Sequence, residues 1–287
     1  MMSVINMPDM AMVTDIMATD MVKVIMVINE SNMKIKTYVI NLKDSVDRRK
    51  AILAETAKYP FMDVELVEAV DGRKLKQEEI KACFDLKKFV NHYYRTPKGG
   101  EIGCTLSHRI CYRKLLESEE EFALVLEDDV CFIYPEYVET ILNDILNEYK
   151  DNKPYVITLG YHDLYYPKKY RTLGKFTFYK IYRAYGTCGY LVNRQAAKRL
   201  LSDCSFIVAD DFSFMREKGI QVEGIYPYFA ADESTRGTIP SEIQQEKVTR
   251  KNFINRCISR CCRLISCRML LKFGRLSKQH YSRGIDE

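Results

Sequence analysis

The chain has 287 residues, of which 47% are hydrophobic and 29% charged. That balance gives enough apolar residues for one large core and excludes collagen-like repeats and wholesale disorder. The formal net charge of +5 is modest and sits in the tail, where Lys247 to Glu287 carry eleven Lys or Arg against two acids, so no general affinity for nucleic acid follows from it.

In chain order, residues 1–33 are Met-rich, without a basic n-region or a long apolar stretch, and do not read as a signal peptide. The expectation is a disordered leader, or one that precedes a true start near Met33. Ile35 to Leu42 is a β-branched strand run, and Asp44 to Lys58 reads as a helix with Asp44 or Ser45 as N-cap. Val64 to Val70 is a second strand run, ending at the turn signal Asp71-Gly72. From Gly103 to about Ser118, Cys104, His108, Cys111 and Leu115 recur at helical spacing, which turns His108 inward. Phe122 to Leu126 is an unbroken apolar strand that stops at Glu127-Asp128-Asp129. Pro135 opens an amphipathic helix with its stripe at Val138, Ile141, Leu142, Ile145, Leu146 and Tyr149. Further strands are expected at Tyr155–Leu159, Phe176–Tyr182, Tyr190–Asn193 and Val222–Phe229. Short helices are expected over Gln195–Leu201 and after Asp210-Asp211, and a loop over Tyr161–Tyr170. Alternating strands and helices predict an α/β fold with an open, mostly parallel sheet.

The acid triplet carries the sharpest chemistry. Three adjacent carboxylates at the end of a buried strand repel one another unless a cation compensates them. Oxygen ligands favour Mg2+ or Mn2+, which keep water and bridge substrate phosphates; a solvated acidic turn is the competing reading of Glu127, Asp128 and Asp129.

The triplet does not stand alone. The stretches YVINLKDSVDRR (Tyr38–Arg49), GGEIGCTLSHRICYRKLL (Gly99–Leu116), ALVLEDDV (Ala123–Val130) and YGTCGYLVNRQAA (Tyr185–Ala197), with VADDFSF (Val208–Phe214) as a weaker fifth, resemble glycosyltransferase family 25. That family includes the lipooligosaccharide galactosyltransferases and their relatives in collagen glycosylation. The resemblance spans roughly residues 35–240 and implies a GT-A-like fold, a UDP-sugar donor, a divalent metal and transfer with inversion. The leader and tail fall outside it, and the chain is expected to divide into the leader 1–33, a catalytic domain 34–245 and a basic helical tail 246–287.

By the resemblance, Asp129 with Glu127 or Asp128 would hold a metal that bridges the donor diphosphate. Arg48 and Arg49, at the start of the first helix, would add positive charge there or form a solvated helix face. Asn41 and Asp71, each ending an early strand, suit nucleoside contacts by analogy of fold. An inverting transfer needs a carboxylate base, for which Asp210 and Asp211 are the candidates, though Asp commonly caps a helix as well. Glu101 and His108 belong to the most recognisable segment; His108 is either a substrate contact or an inward histidine satisfied by the core. Gly189 would let backbone approach a sugar, or form an ordinary turn into a strand.

The resemblance makes the expected partners a nucleotide sugar and a glycan or glycolipid acceptor of lipopolysaccharide type, with galactose the first candidate sugar. Another UDP-sugar, a protein acceptor, or a sugar-binding module without turnover are the alternatives. No Gly-x4-Gly-Lys-Ser/Thr phosphate loop supports a phosphotransferase. Ten cysteines without a secretory signal or paired C-x2-C knuckles are read as free thiols in a reducing compartment, which places the protein in the cytoplasm. In the tail, Ile254, Ile258, Cys261 and Ile265 share one helical face and Arg256, Arg260 and Arg263 the other. This is a pattern for lying on an anionic membrane or for docking on the catalytic domain.

Overall fold

The computed structural model describes residues 34–184, 186–203, 205–232 and 268–278. The expected leader and the amphipathic segment 252–267 lie outside the described residues. The chain from Ile35 onward forms one unit.

Its first half is built around a parallel trio of strands. β1 (Ile35–Asn41) is followed by α1 (Val46–Thr56) and β2 (Met62–Glu68), and β2 pairs with β1 in parallel along its whole length. Two short helices the sequence reading did not assign, α2 (Gln77–Cys83) and α3 (Leu86–Tyr93), precede the long α4 (Gly99–Glu117). β3 (Phe122–Glu127) then joins the free edge of β1, also in parallel. Parallel pairing needs a crossover, and α1 and α4 supply the two. All three strands therefore end at one edge of the sheet. The apolar run Ala123 to Leu126 is fully buried, as a strand covered on both faces must be.

The second half makes the sheet mixed. After β4 (Val130–Phe132) and a turn of 3-10 helix at Pro135–Tyr137, α5 (Val138–Glu148) buries Val138, Ile141, Leu142 and Ile145 from the expected stripe. β5 (Tyr155–Thr158), β6 (His162–Tyr165), β7 (Arg171–Leu173), β8 (Phe176–Ala184) and β9 (Gly189–Asn193) follow. α6 (Arg194–Leu201), α7 (Phe212–Glu217), β10 (Gln221–Tyr226), β11 (Ala230–Asp232) and β12 (Ser277–Lys278) complete the described chain. The strand order is β12-β6-β8-β10-β5-β9-β3-β1-β2, with β7 also on β8. β9 runs antiparallel between β3 and β5, and β10 is parallel to β5 but antiparallel to β8. β6 lies inside the stretch expected to be a loop. It forms because nine-residue β8 has a free edge whose backbone groups β6 and β7 satisfy, with Leu164 buried at 2% exposure. β12 pairs with β6, so this part of the expected tail extends the sheet edge.

Two local devices fix α4, the helix that forms the inner wall of the site. The first is a junction of glycines. A Cβ on Gly72 would lie 2.0 Å from the Gly99 carbonyl oxygen, and one on Gly103 2.2 Å from that of Val70, so loop and helix meet backbone to backbone. Ser107 Oγ locks the contact by accepting from the Val70 N–H at 2.9 Å while donating to Gly103 O at 2.7 Å. The helix begins at Gly99, one turn before the expected Gly103, because Glu101 accepts from the Lys98 N–H at 2.8 Å and binds the Arg95 guanidinium with both oxygens. The second device lies at the far end, where Arg194 donates to the terminal carbonyls of Leu115, Leu116 and Ser118. Arg109 of α4 returns the arrangement by donating to Leu200 O at the end of α6.

Candidate active site at the strand ends

A cleft of about 370 Å³ opens where β1, β2 and β3 end, the edge at which open α/β sheets bind ligands, and within the usual size of a small-molecule site. Its walls come from Ile40, the 69–73 loop, the N-terminal half of α4, the acid triplet, residues 186–188 before β9, residues 208–210 before α7, and Asp232 of β11.

The three acids have different surroundings. Asp128 accepts from Asn41 Nδ2 at 2.6 Å and from Arg48 Nε at 2.7 Å. Asn41 also donates to Ser45 O, so it ties the end of β1 to the start of α1 and to the triplet. Arg48 reaches Asp129 Oδ2 as well, at 3.0 Å, and thus spans both carboxylates. Asp129 is 7% exposed, and its Oδ1 is buried without a hydrogen-bond partner. Burial, with the charge of Glu127, pushes its pKa up to about 6 despite Arg48. Such an orphaned anionic oxygen fits a hard cation with oxygen ligands. Glu127 accepts from Thr187 Oγ1 and lies 3.3 Å from His108 Nε2. Burial would raise its pKa, but those contacts and the charge of Arg48 hold it below the usual carboxylate range.

His108 is 1% exposed, with Nδ1 2.7 Å from Tyr190 Oη, which is 2.9 Å from Tyr112 Oη. It is at once an inward histidine with partners and a wall of the cleft. The adjacent aspartates also separate. Asp211 caps α7 by accepting from the Phe214 N–H at 3.2 Å and takes the Tyr93 hydroxyl at 2.8 Å, with His92 Nε2 at 3.9 Å. Burial works against it, yet these partners keep its pKa low. Asp210 lines the cleft, and among the described residues no side chain is hydrogen-bonded to it. Burial first, then the charges of Asp211, Glu127 and Glu101, push its pKa up to about 6.

The other expected residues divide in the same way. Asp71 and Glu101 line the cleft, but Asp71 is paired with Arg73 at 2.7 Å and Glu101 with Arg95 at 2.6 Å. Arg49 is not among the cleft residues, and its guanidinium donates to Lys43 O. Gly189 is not among them either. A Cβ there would meet Leu126, Val130 and Ala230, so its smallness serves the packing of β9 under β3 and β4. Asp232 escaped the sequence reading. β11 pairs with β4 so that Asp232 lies across from Val130, the residue after Asp129, and its charge helps raise the Asp129 pKa. No local signal marks it, because a strand pairing across a hundred residues brings it there. Thr187 and Cys104 belong to stretches that carry the resemblance, but no role was assigned to either side chain.

The family model for glycosyltransferase family 25 (LPS biosynthesis protein) matches residues 34–214. Among curated proteins, the chain is 31% identical over 179 residues to a glycosyltransferase 25 family member of Aedes aegypti, a match covering 58% of this chain and 28% of that protein. It is 40% identical over 101 residues to procollagen galactosyltransferase 2 of Homo sapiens, covering 33% of this chain and 16% of that one. It is 29% identical over 187 residues to the procollagen lysyl hydroxylase and glycosyltransferase of Acanthamoeba polyphaga mimivirus, covering 58% and 19%. Each match spans less than a third of the relative's own length. The family match takes in the parallel trio, α4, the acid triplet and Asp210, so the cleft apart from Asp232 is drawn from it, and the chain belongs to glycosyltransferase family 25.

Proposed function

We propose that the chain transfers a hexose, galactose first, from a UDP-sugar to an acceptor hydroxyl, using Mn2+ or Mg2+ and inverting the anomeric centre. One observation carries this reading: an orphaned Asp129 oxygen and an unpaired, proton-hungry Asp210 face the same cleft at the parallel strand ends. Asp129, with Asp232 beside it, would hold the cation, while Arg48, itself on the cleft wall, and Asn41 fix the triplet. When bound, the cation supplies Lewis-acid stabilisation of the charge on the departing diphosphate. Arg48 would add positive charge near the diphosphate from the cleft wall, and the α4 N-terminus at Gly100, whose backbone N–H groups favour anions, would add to it. Asp210 accepts the proton of the acceptor hydroxyl as that oxygen attacks. Inversion is read from the anomeric configuration of the product.

Galactose as the sugar is supported by the names of the relatives, which include procollagen galactosyltransferases. For the acceptor, the family model's description favours a lipopolysaccharide-type glycan. The same relatives favour a second reading, a hydroxyl on a collagen-like protein. The test is release of free UDP from a panel of UDP-sugars, with and without each metal, followed by competition between the two acceptor types. UDP-galactose should turn over only with Mn2+ or Mg2+; no UDP release from any donor with either metal would overturn the reading.

We place the protein at the inner face of the cytoplasmic membrane through its basic C-terminal segment. No helix among the described residues is long and apolar enough to cross a membrane. Within 268–278, Met269 is 55% and Phe273 69% exposed, flanked in sequence by Arg268, Lys272 and Arg275, a mixture of apolar and basic groups that suits an anionic lipid surface. The full chain should pellet with vesicles containing phosphatidylserine and lose most of that binding when truncated after 245. Equal pelleting of both forms would remove the membrane role.

A further inference from the structure

Cys104 and His108 stand one helical turn apart on α4 and so share a face. Glu127 meets that face from the end of β3. One ligand atom from each of Cys104, His108 and Glu127 lies within 4.8 Å of the other two, with His108 Nε2 to Glu127 Oε1 at 3.3 Å and Cys104 Sγ to Glu127 Oε1 at 4.0 Å. All three residues line the cleft, so a fourth position can be taken by water. In a tetrahedral zinc site with Zn–S of about 2.3 Å and Zn–N or Zn–O of about 2.0–2.1 Å, ligand atoms sit roughly 3.3–3.6 Å apart. The imidazole and carboxylate are at that spacing, and the thiol, 4.0 Å from Oε1, lies a few tenths of an ångström outside it, within reach of a side-chain adjustment.

The surroundings of His108 are those of a metal-ligating imidazole. Such a ring is held through its other nitrogen, and here Nδ1 meets Tyr190 Oη at 2.7 Å, itself fixed by Tyr112 at 2.9 Å. We propose that Cys104, His108 and Glu127 form a site for a thiophilic divalent cation, zinc above all, distinct from the oxygen-ligand position at Asp129. Sulfur and imidazole donors select against Mg2+ and Mn2+, which prefer oxygen. Binding replaces the His108–Glu127 contact by bonds to the ion. The Cys104 proton passes to water, the proton with which Nε2 faces Glu127 is exchanged through water for one on Nδ1, donated to Tyr190, and no group is oxidised or reduced.

The consequence rests on the proposed function. An ion here draws Glu127 away from Thr187 and adds positive charge beside the base, so zinc inhibits transfer while manganese supports it.

The test uses the full chain and Cys104→Ser, with Co2+ as a spectroscopic stand-in for zinc. Because the chain has ten cysteines, the quantity read is the difference between the two proteins. The unmodified chain should bind one more equivalent of Co2+, with a thiolate-to-cobalt charge-transfer band that Zn2+ abolishes and excess Mn2+ does not. For that equivalent, Cys104→Ser should weaken zinc affinity at least about 100-fold, beyond the tenfold to hundredfold typical of losing an outer-shell partner. Equal stoichiometry and an equal band in the two proteins would overturn the proposal. Saturating zinc should also protect Cys104 of the unmodified chain from alkylation, read by peptide mass spectrometry. Unchanged alkylation would sink the proposal without relying on a variant. Zinc inhibition is scored against each protein's own zinc-free rate. A chain with no transferase activity would still give a decisive cobalt and alkylation result, so failure of the transferase reading and failure of this site are separable.

Discussion

Replacing Asp210 by Asn is expected to lower the rate of sugar transfer by about 10²–10⁴-fold, the usual contribution of a positioned general base, while making the fold more stable. The two effects have one cause. The carboxyl is half-buried and desolvated near the charges of Asp211, Glu127 and Glu101, and its pKa is pushed up to about 6. A folded-state pKa above the unfolded value means the native state prefers the protonated acid. The native state is therefore favoured below the unfolded pKa near 3.8, and that advantage is lost as pH rises through about 6. At neutral pH the ionised group costs up to about 3 kcal/mol, from the pKa difference at about 1.4 kcal/mol per unit, and Asn removes that cost. UDP binding in the presence of Mn2+ should stay within a few-fold, because Asp210 is not placed on the cation. In the unmodified enzyme kcat/KM should fall about tenfold per pH unit below about 6, as the base is protonated. Turnover near the unmodified rate in Asp210→Asn would remove the residue from the mechanism. A melting temperature below that of the parent would contradict the electrostatic argument.

Asp129→Asn is expected to abolish metal-supported UDP binding and to reduce transfer by about 10³-fold, corresponding to about 4 kcal/mol of lost charge stabilisation. The substitution is close to isosteric, and its side-chain oxygen can still accept from Arg48, which lies 3.0 Å from Asp129 Oδ2. What disappears is the anionic partner for the cation. Asp128→Asn is the contrast. Its carboxylate is already filled by Asn41 and Arg48, so this change should leave Mn2+-dependent UDP affinity within a few-fold and instead lower stability through the broken pair with Arg48. Calorimetric titration of UDP with Mn2+ into the three proteins separates these outcomes. If Asp129→Asn bound UDP with unchanged metal dependence, the cation would have to sit elsewhere.

Much of this arrangement was legible in the chain because it is local. The stripe of α5 and the apolar run of β3 obey simple periodicities, and the structure reproduces them. The acids at the strand end were visible for the same reason. What was not legible depends on distant partners. Asp210 and Asp211 look alike in sequence, since both precede a helix. Only the arrival of Tyr93 from α3, a helix not assigned beforehand, shows that Asp211 is occupied and Asp210 is not. Glu101 does line the cleft, but its spacing did not show that Arg95 and the Lys98 N–H hold its carboxylate. Asp232 carries no signature at all, because a strand pairing across the cleft gives it its position.

The contact of Gly72, Gly99 and Gly103 has a mechanical consequence. With bare main chain on both sides, no rotamer lies between loop and helix to absorb a displacement, and close packing transmits any push directly. The 70–73 segment and α4 must travel as a single stiff plate. Any opening of the cleft would then be left to the other wall, around 186–188 and 208–210. Substitutions there, rather than at the glycines, would tune the pace of each catalytic cycle.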